Sequence, residues 1–305
     1  MNPNRQPTLS DTTNGQAPHL LSDIEKAQQL FGRLKMLYER IPTTTCNRQA
    51  HCCALMPEVS YVEFLHVVSA LGRLPQDVQT ETMEKTIKYF FLNAVRIDNC
   101  PFLHHNACRI YEDRPFTCRA YGLWSKAYYE VLVANNKRAK EPVRAAWKTL
   151  GVKLPADVVA YQPAHCDHVT MTSDGPITDA ELDLTQAEVF SLDSDLEQVK
   201  TPTLPFPLKP ALPALARQPW TDVSSLSSRS GPGGEGLGGG EKRFRQVFFS
   251  DPSFLLTSTI IGYESCLVEK VTVVREYLSE KRSPRLEQLI GKIRKSLSNG
   301  HLSGM

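Results

Sequence analysis

The sequence predicts a mostly α-helical protein: a small helical domain with irregular cysteine-bearing loops, followed by a tethered C-terminal helical segment. Three observations predict it. Apolar residues recur at helical spacing in several segments, some of them opened by capping boxes. Cysteines and prolines collect in the irregular stretches between those segments. From residue 201 the composition turns Pro-rich and then Gly/Ser-rich before helical spacing resumes.

A first helix is expected at about 22–40, where Ser22 and Glu25 form a capping box and Ile24, Ala27, Leu30, Phe31, Leu34, Leu37 and Tyr38 share a face. Ser60 with Glu63 opens a second helix with Tyr61, Phe64, Leu65, Val68 and Leu71 inward, closed by Leu74-Pro75. A third, at 77–97, buries Met83, Ile87, Phe90, Phe91 and Ala94. Pro101 and Pro115 forbid a continuous helix across 98–119. Helical spacing returns at 120–135, through Leu123, Trp124, Ala127, Tyr128, Val131 and Leu132, and again at 141–150 around Trp147. The aromatic residues after 120 read as core.

The domain boundaries follow composition. Residues 1–19 are polar and read as a disordered tail, and 20–200 form the cysteine-bearing domain. Residues 201–243 make a linker, extended in its Pro-rich half and flexible in its Gly/Ser half. In the final segment, 244–305, Leu267, Val268, Val271, Val274 and Leu278 favour one helix. Ser283-Pro284 with Glu287 starts another, presenting Leu286, Leu289, Ile290, Ile293 and Leu297. Two helices with one apolar stripe each form no core alone, so they must dock on the first domain or on a protein partner.

A net charge of +2 over 305 residues gives no electrostatic reason to expect nucleic acid or an anionic membrane. No apolar run reaches the length of a membrane helix, and the start lacks the apolar core of a signal peptide, so the expected compartment is the cytoplasm. Thiols stay reduced there. Of the eight cysteines, six fall between Cys46 and Cys118. Clustered cytosolic cysteines point to metal ligation or redox chemistry rather than cross-linking. Zinc and iron–sulfur clusters need thiolates converging from short irregular segments. Cys46, Cys52 and Cys53 offer them from one loop, Cys100, Cys108 and Cys118 from a second, and Cys166 in "YQPAHCDHV" from a third. The helical pair between the first two loops would return the chain and bring them together. Cys266 sits in an apolar helical pattern and reads as core; His104 and His105 read as exposed loop residues. The run "GPGGEGLGGGEK" lacks the spacing of a phosphate-binding loop and reads as tether.

The pattern C-x5-CC followed by "CPFL…C-x-IYE-x-RP-x-x-CR" resembles the CxxCxxCC cysteine-cluster family, described as zinc- or iron-chelating. Cys46, Cys52 and Cys53 align with three cysteines of that family's first block. Cys100, Cys108, Ile110, Tyr111, Glu112, Arg114, Pro115, Cys118 and Arg119 align with its second. The resemblance covers about residues 40–120 and is expected to run toward Cys166. Gln49 stands where the family has a cysteine and Ala50 where it has glycine; His51 is the nearby donor that could replace the missing thiolate. The resemblance implies zinc or an iron–sulfur cluster as cofactor, with Arg114 and Arg119 offsetting its negative charge. It implies a metal-binding module used for structure, delivery or partner maturation, or else an iron–sulfur oxidoreductase or other modifying enzyme. No catalytic residue is identified.

Overall fold

The computed structural model describes residues 17–46, 49–54, 56–172, 176–198 and 263–298. The linker read at 201–243 lies outside these residues, as does most of the tail read at 1–19. Among the described residues the chain is mostly helical, with four short strands.

Helix α1 (Ala17–Tyr38) starts before the residues whose pairing suggested its cap, so Ser22 and Glu25 lie inside it. Leu20 is buried, which extends the apolar stripe one turn further back and overrides the local capping signal. Its inward residues Ile24, Ala27, Leu30, Leu34, Leu37 and Tyr38 are buried as the spacing predicts.

Helix α2 (Tyr61–Gly72) is the centre of the molecule. Its capping box is complete: Glu63 N–H donates to Ser60 Oγ, and Ser60 N–H donates to Glu63 Oε2, each at 3.1 Å. Val62, Phe64, Leu65, Val67, Val68 and Leu71 are all buried, so the helix is covered on every side. Helix α3 (Gln76–Leu92) follows after Pro75 and ends before Ala94, which packs from the turn beyond it.

Strand β1 (Thr44–Cys46) pairs antiparallel with β4 (Val169–Met171), in the register Thr44↔Met171, Thr45↔Thr170, Cys46↔Val169. Strands β2 (Leu103–His104) and β3 (Ala107–Cys108) form a hairpin. Its two turn residues, His105 and Asn106, have φ of 46° and 59°, the left-handed pair a two-residue hairpin needs. Arg109 fastens the hairpin to α3 through Thr82 Oγ1 at 2.8 Å and Glu81 at 2.5 Å.

Helix α4 (Phe116–Ala120) is one short turn with Phe116 and Ala120 buried. The two helical patterns at 120–135 and 141–150 are one helix, α5 (Lys126–Thr149), with Pro142 inside it. Pro142 removes one backbone bond, yet the helix continues to a buried Trp147 that anchors its far end. The inward reading of 123–132 holds only in part: Leu123 and Trp124 pack against the core, but Ala127 is exposed, Val131 is 55% exposed, and Tyr128 stacks half-buried on Trp124. Helix α6 (Ala156–Ala160) leads to the third cysteine stretch.

Helix α7 (Asp179–Gln198) was not legible as an amphipathic pattern. It packs on α1, α2 and α4, burying Leu182, Val189 and Leu192. Asp193 caps the central helix from outside it, accepting from Tyr61 N–H and Val62 N–H at 2.9 Å each.

The last two helices, α8 (Tyr263–Glu280) and α9 (Pro284–Ser298), pack on each other and on α3. Ser283 Oγ accepts from Leu286 N–H, and Leu286, Leu289, Ile290 and Ile293 are buried, so the stripe predicted there is used within the chain. Leu297 lies outside the residues whose side chains are described. Lys270 is fully buried, its ammonium donating to Phe90 O at 2.5 Å and Asn93 Oδ1 at 2.9 Å, 4.1 Å from the Phe90 ring centre.

Two substitutions test this account. Asp193→Ala leaves two N–H groups of α2 without their acceptor and is expected to lower the unfolding free energy by about 1–2 kcal/mol in a denaturant titration. Ala50, at φ 58° and ψ 19°, holds a left-handed conformation before the cysteine pair. Ala50→Gly relieves the Cβ crowding and is expected to raise stability by about 0.5–1 kcal/mol, read as a higher Tm.

Candidate metal centre

Three separate stretches deliver five cysteines to one place. The left-handed turn at Ala50 starts a single 3-10 turn, His51–Cys53, which carries Cys52 and Cys53. The α2–α3 pair then returns the chain, and Cys100 N–H donates to Cys53 O at 2.7 Å, joining the first loop to the second. Met56 N–H donates to the Tyr89 hydroxyl of α3 at 3.0 Å and fixes the first loop from the other side. The hairpin brings Cys108 back over Cys100, and α4 supplies Cys118.

Cys52, Cys53, Cys100, Cys108, Cys118 and Arg114 line a cavity of about 30 Å³. Its remaining walls are apolar, among them Val67, Phe102 and Ile110. Cys52 Sγ stands 3.8 Å from Cys53 Sγ. Among the described residues no group of three or more His, Cys, Asp or Glu side chains is drawn together at metal-binding distances. The sulfurs ring the space rather than meet at its centre.

Most of the other residues singled out from sequence and described in the structure lie outside that lining. Cys46 is the last residue of β1, and its side chain is not among those described. Cys166 is buried, away from the cavity lining. Arg119 is turned from the cavity, donating to the carbonyls of Glu112 and Arg114 and lying 4.4 Å over the Tyr38 ring. Arg114 stacks on Tyr111, 3.6 Å from its ring centre, and faces the cysteines. Gln49, His104 and His105 are exposed, and Cys266 is buried in α8.

Sequence reasoning read Glu63 only as half of a cap. It is 1% exposed, and its Oε1 accepts from the Tyr38 hydroxyl at 2.7 Å and from Phe116 N–H at 2.6 Å. Phe116 opens the short helix that carries Cys118, so one carboxyl ties α1, α2 and α4 together beneath the cavity. Burial pushes the Glu63 carboxyl up, and the hydrogen bonds from Phe116, Tyr38 and Ser60 oppose it. His66, about one turn along α2, has its pKa lowered by burial, while Asp113 at 3.4 Å pulls the other way. Its Nδ1 is buried without a partner.

The thiols differ sharply in acidity. Desolvation pushes Cys100 up to about 12 and raises Cys108 and Cys118. Cys52 is held down at about 6, first by the hydrogen bond from the Cys53 thiol and then by the Arg114 guanidinium; burial opposes both. Cys53, the donor in that pair, is pushed up. Among the cavity thiols Cys52 is thus the most readily deprotonated, and loading the others on a metal releases protons. In metal-free protein, iodoacetamide is expected to label Cys52 first at pH 7, with a rate midpoint near pH 6 that Arg114→Gln moves upward. Peptide mass mapping reads the order, and simultaneous labelling of Cys100 would contradict it.

Comparison with curated proteins and with solved structures finds no match. Comparison with family models finds one, covering 45–140: that stretch contains all five cavity cysteines and Cys46, and it stops short of Cys166. Residues 45–140 match the family model CxxCxxCC, described as "Putative zinc- or iron-chelating domain".

Proposed function

We propose that this chain is a metal-binding protein in which Cys52, Cys53, Cys100, Cys108 and Cys118 supply the ligands for a single zinc-class ion, in an accessory, delivery or partner-maturation role. The observation that carries the reading is the ring of five sulfur-bearing side chains, drawn from three separate stretches, around one small cavity. Two thiolates on one tetrahedral zinc, each about 2.3 Å from it, stand about 3.8 Å apart. The Cys52–Cys53 sulfur separation of 3.8 Å is that spacing. In a cubane each thiolate ligates a different iron, which sets the sulfurs further apart, so the adjacent pair suits a mononuclear ion better. A cavity of about 30 Å³ has room for an ion with little to spare for an organic substrate, which favours carriage or structure over catalysis.

Arg114 offsets part of the charge that four thiolates and a dication leave behind. Arg119 has no place in this ligand set, being turned to backbone carbonyls; a fifth cavity sulfur is available for exchange with a partner. An iron–sulfur enzyme of the same family is the second reading. The metal itself separates the two: stoichiometric zinc in colourless protein supports the first, whereas iron, sulfide and a broad visible absorption support the second.

Replacement of the adjacent pair, Cys52→Ser with Cys53→Ser, removes two of the five cavity sulfurs. Elemental analysis of the anaerobically purified double variant is expected to show metal content falling at least tenfold, as loss of direct ligands dictates. Full retention of metal would overturn the assignment.

A further inference from the structure

Cys52 and Cys53 are consecutive in one 3-10 turn, and their sulfurs stand 3.8 Å apart, in contact. Side chains of neighbouring residues in a helical turn ordinarily point apart. Here the turn is tight: Ala50 before it is left-handed, and Cys53 N–H donates to Ala50 O at 2.9 Å. The pair is also fixed from behind, by Cys100 N–H on Cys53 O at 2.7 Å and Met56 N–H on the Tyr89 hydroxyl at 3.0 Å. Cys53 is 8% exposed, whereas Cys52 is half-buried in the cavity wall. One sulfur of the pair is reachable from outside and the other is kept beside it.

We infer that in the metal-free chain Cys52 and Cys53 form a reversible oxidation site for hydrogen peroxide, closing a disulfide between the two neighbouring residues. On the reading of the cavity as the metal site, this change withdraws two ligands at once; the oxidation itself does not depend on that reading.

The cavity of about 30 Å³ has room for a molecule of two heavy atoms, since a water needs about 10–15 Å³. The Cys52 sulfur attacks one peroxide oxygen, its proton going to solvent. The O–O bond breaks and the departing hydroxide is protonated to water. Cys52 is left as the sulfenic acid, oxidised by two electrons as the peroxide is reduced. The Cys53 sulfur, 3.8 Å away, then attacks the Cys52 sulfur. The S–S bond forms, the S–O bond breaks, and the oxygen leaves as a second water with the Cys53 proton. Cys100, Cys108 and Cys118 belong to other stretches of chain, each held by its own backbone bonds, so the sulfur already in contact reacts first.

Consecutive α-carbons lie about 3.8 Å apart, closer than the range of about 4.4–6.8 Å in relaxed disulfides. The bond is therefore strained, and strained disulfides are the readily reduced ones. A thiol reductant returns the pair, so the change is a switch rather than damage.

The test treats the metal-free full chain with hydrogen peroxide, alkylates the remaining thiols and maps tryptic peptides by mass. Residues 49–73 form one such peptide, which holds Cys52 and Cys53 and no other cysteine. It is expected to appear unlinked, unalkylated and about 2 Da lighter than its reduced form, and to become alkylated at both cysteines after dithiothreitol. Met56 lies on the same peptide, but its sulfoxide adds oxygen rather than removing hydrogen. Cys53→Ser is expected to carry Cys52 on to the sulfinic acid, about 32 Da heavier, because no neighbouring thiol intercepts it. Cross-linking of 49–73 to the peptide 97–109, which holds Cys100 and Cys108, or to 110–119, which holds Cys118, would overturn the inference. So would sulfinic acid in the wild type without the lighter species. Co(II) uptake by the oxidised and the reduced chain, read by absorption, tests the cavity separately. A loss of about tenfold on oxidation, restored by reductant, upholds both assignments. Undiminished uptake by a chain whose 49–73 disulfide is complete would overturn the cavity assignment and leave the oxidation site standing.

Discussion

One buried carboxyl organises the protein around its sulfurs. Glu63 closes the cap of α2 on itself, takes the Tyr38 hydroxyl from the end of α1, and receives the first amide of the helix that bears Cys118. A carboxyl removed from water is held there only by donors that satisfy it, and two of these three, Tyr38 and Phe116, come from segments distant in sequence. Their positions are therefore mutually dependent. The cavity shares in that dependence, because Val67 and Cys118 in its wall stand on two of those elements, α2 and α4.

What the sequence disclosed depended on how local each signal was. The Ser60–Glu63 box was legible because both partners lie within one turn and the apolar run starts immediately after them. The Ser22–Glu25 pair has the same spelling, yet α1 runs through it, since burial of Leu20 outweighs a cap worth about 1 kcal/mol. Helix α7 escaped notice because its apolar residues do not keep to one face: Leu182 is buried while Leu184 is 60% exposed. One of its polar residues, Asp193, does its work on another helix, which no spacing rule reports. A single helix read as two because the stretch from Asn135 to Lys140 offers only Ala139 to carry the apolar spacing across. The exposure of Val131 shows the converse: helical spacing alone does not say which side finds a partner.

The cysteines were legible as a group and not as a partition. Their placement in irregular segments, the returning α2–α3 pair and the Arg-Pro-x-x-Cys-Arg stretch all pointed to one gathering. That Cys166 stands outside the cavity lining follows from strand pairing across more than a hundred residues, beyond any local pattern. The left-handed turn at Ala50 takes a backbone conformation that costs a Cβ-bearing residue strain. It aims the following two sulfurs to the same side while turning the His51 ring toward His168.

Lys270 has a different lesson. Its ammonium is enclosed by a carbonyl, an amide oxygen and an aromatic face, all on or next to α3. An apolar stripe alone tolerates sliding by a turn, because one aliphatic contact resembles the next. A charge does not, since displacing α8 by a single turn would strand it in hydrocarbon. The terminal helices are thus keyed to a unique seat, and the lock is selectivity rather than adhesive strength.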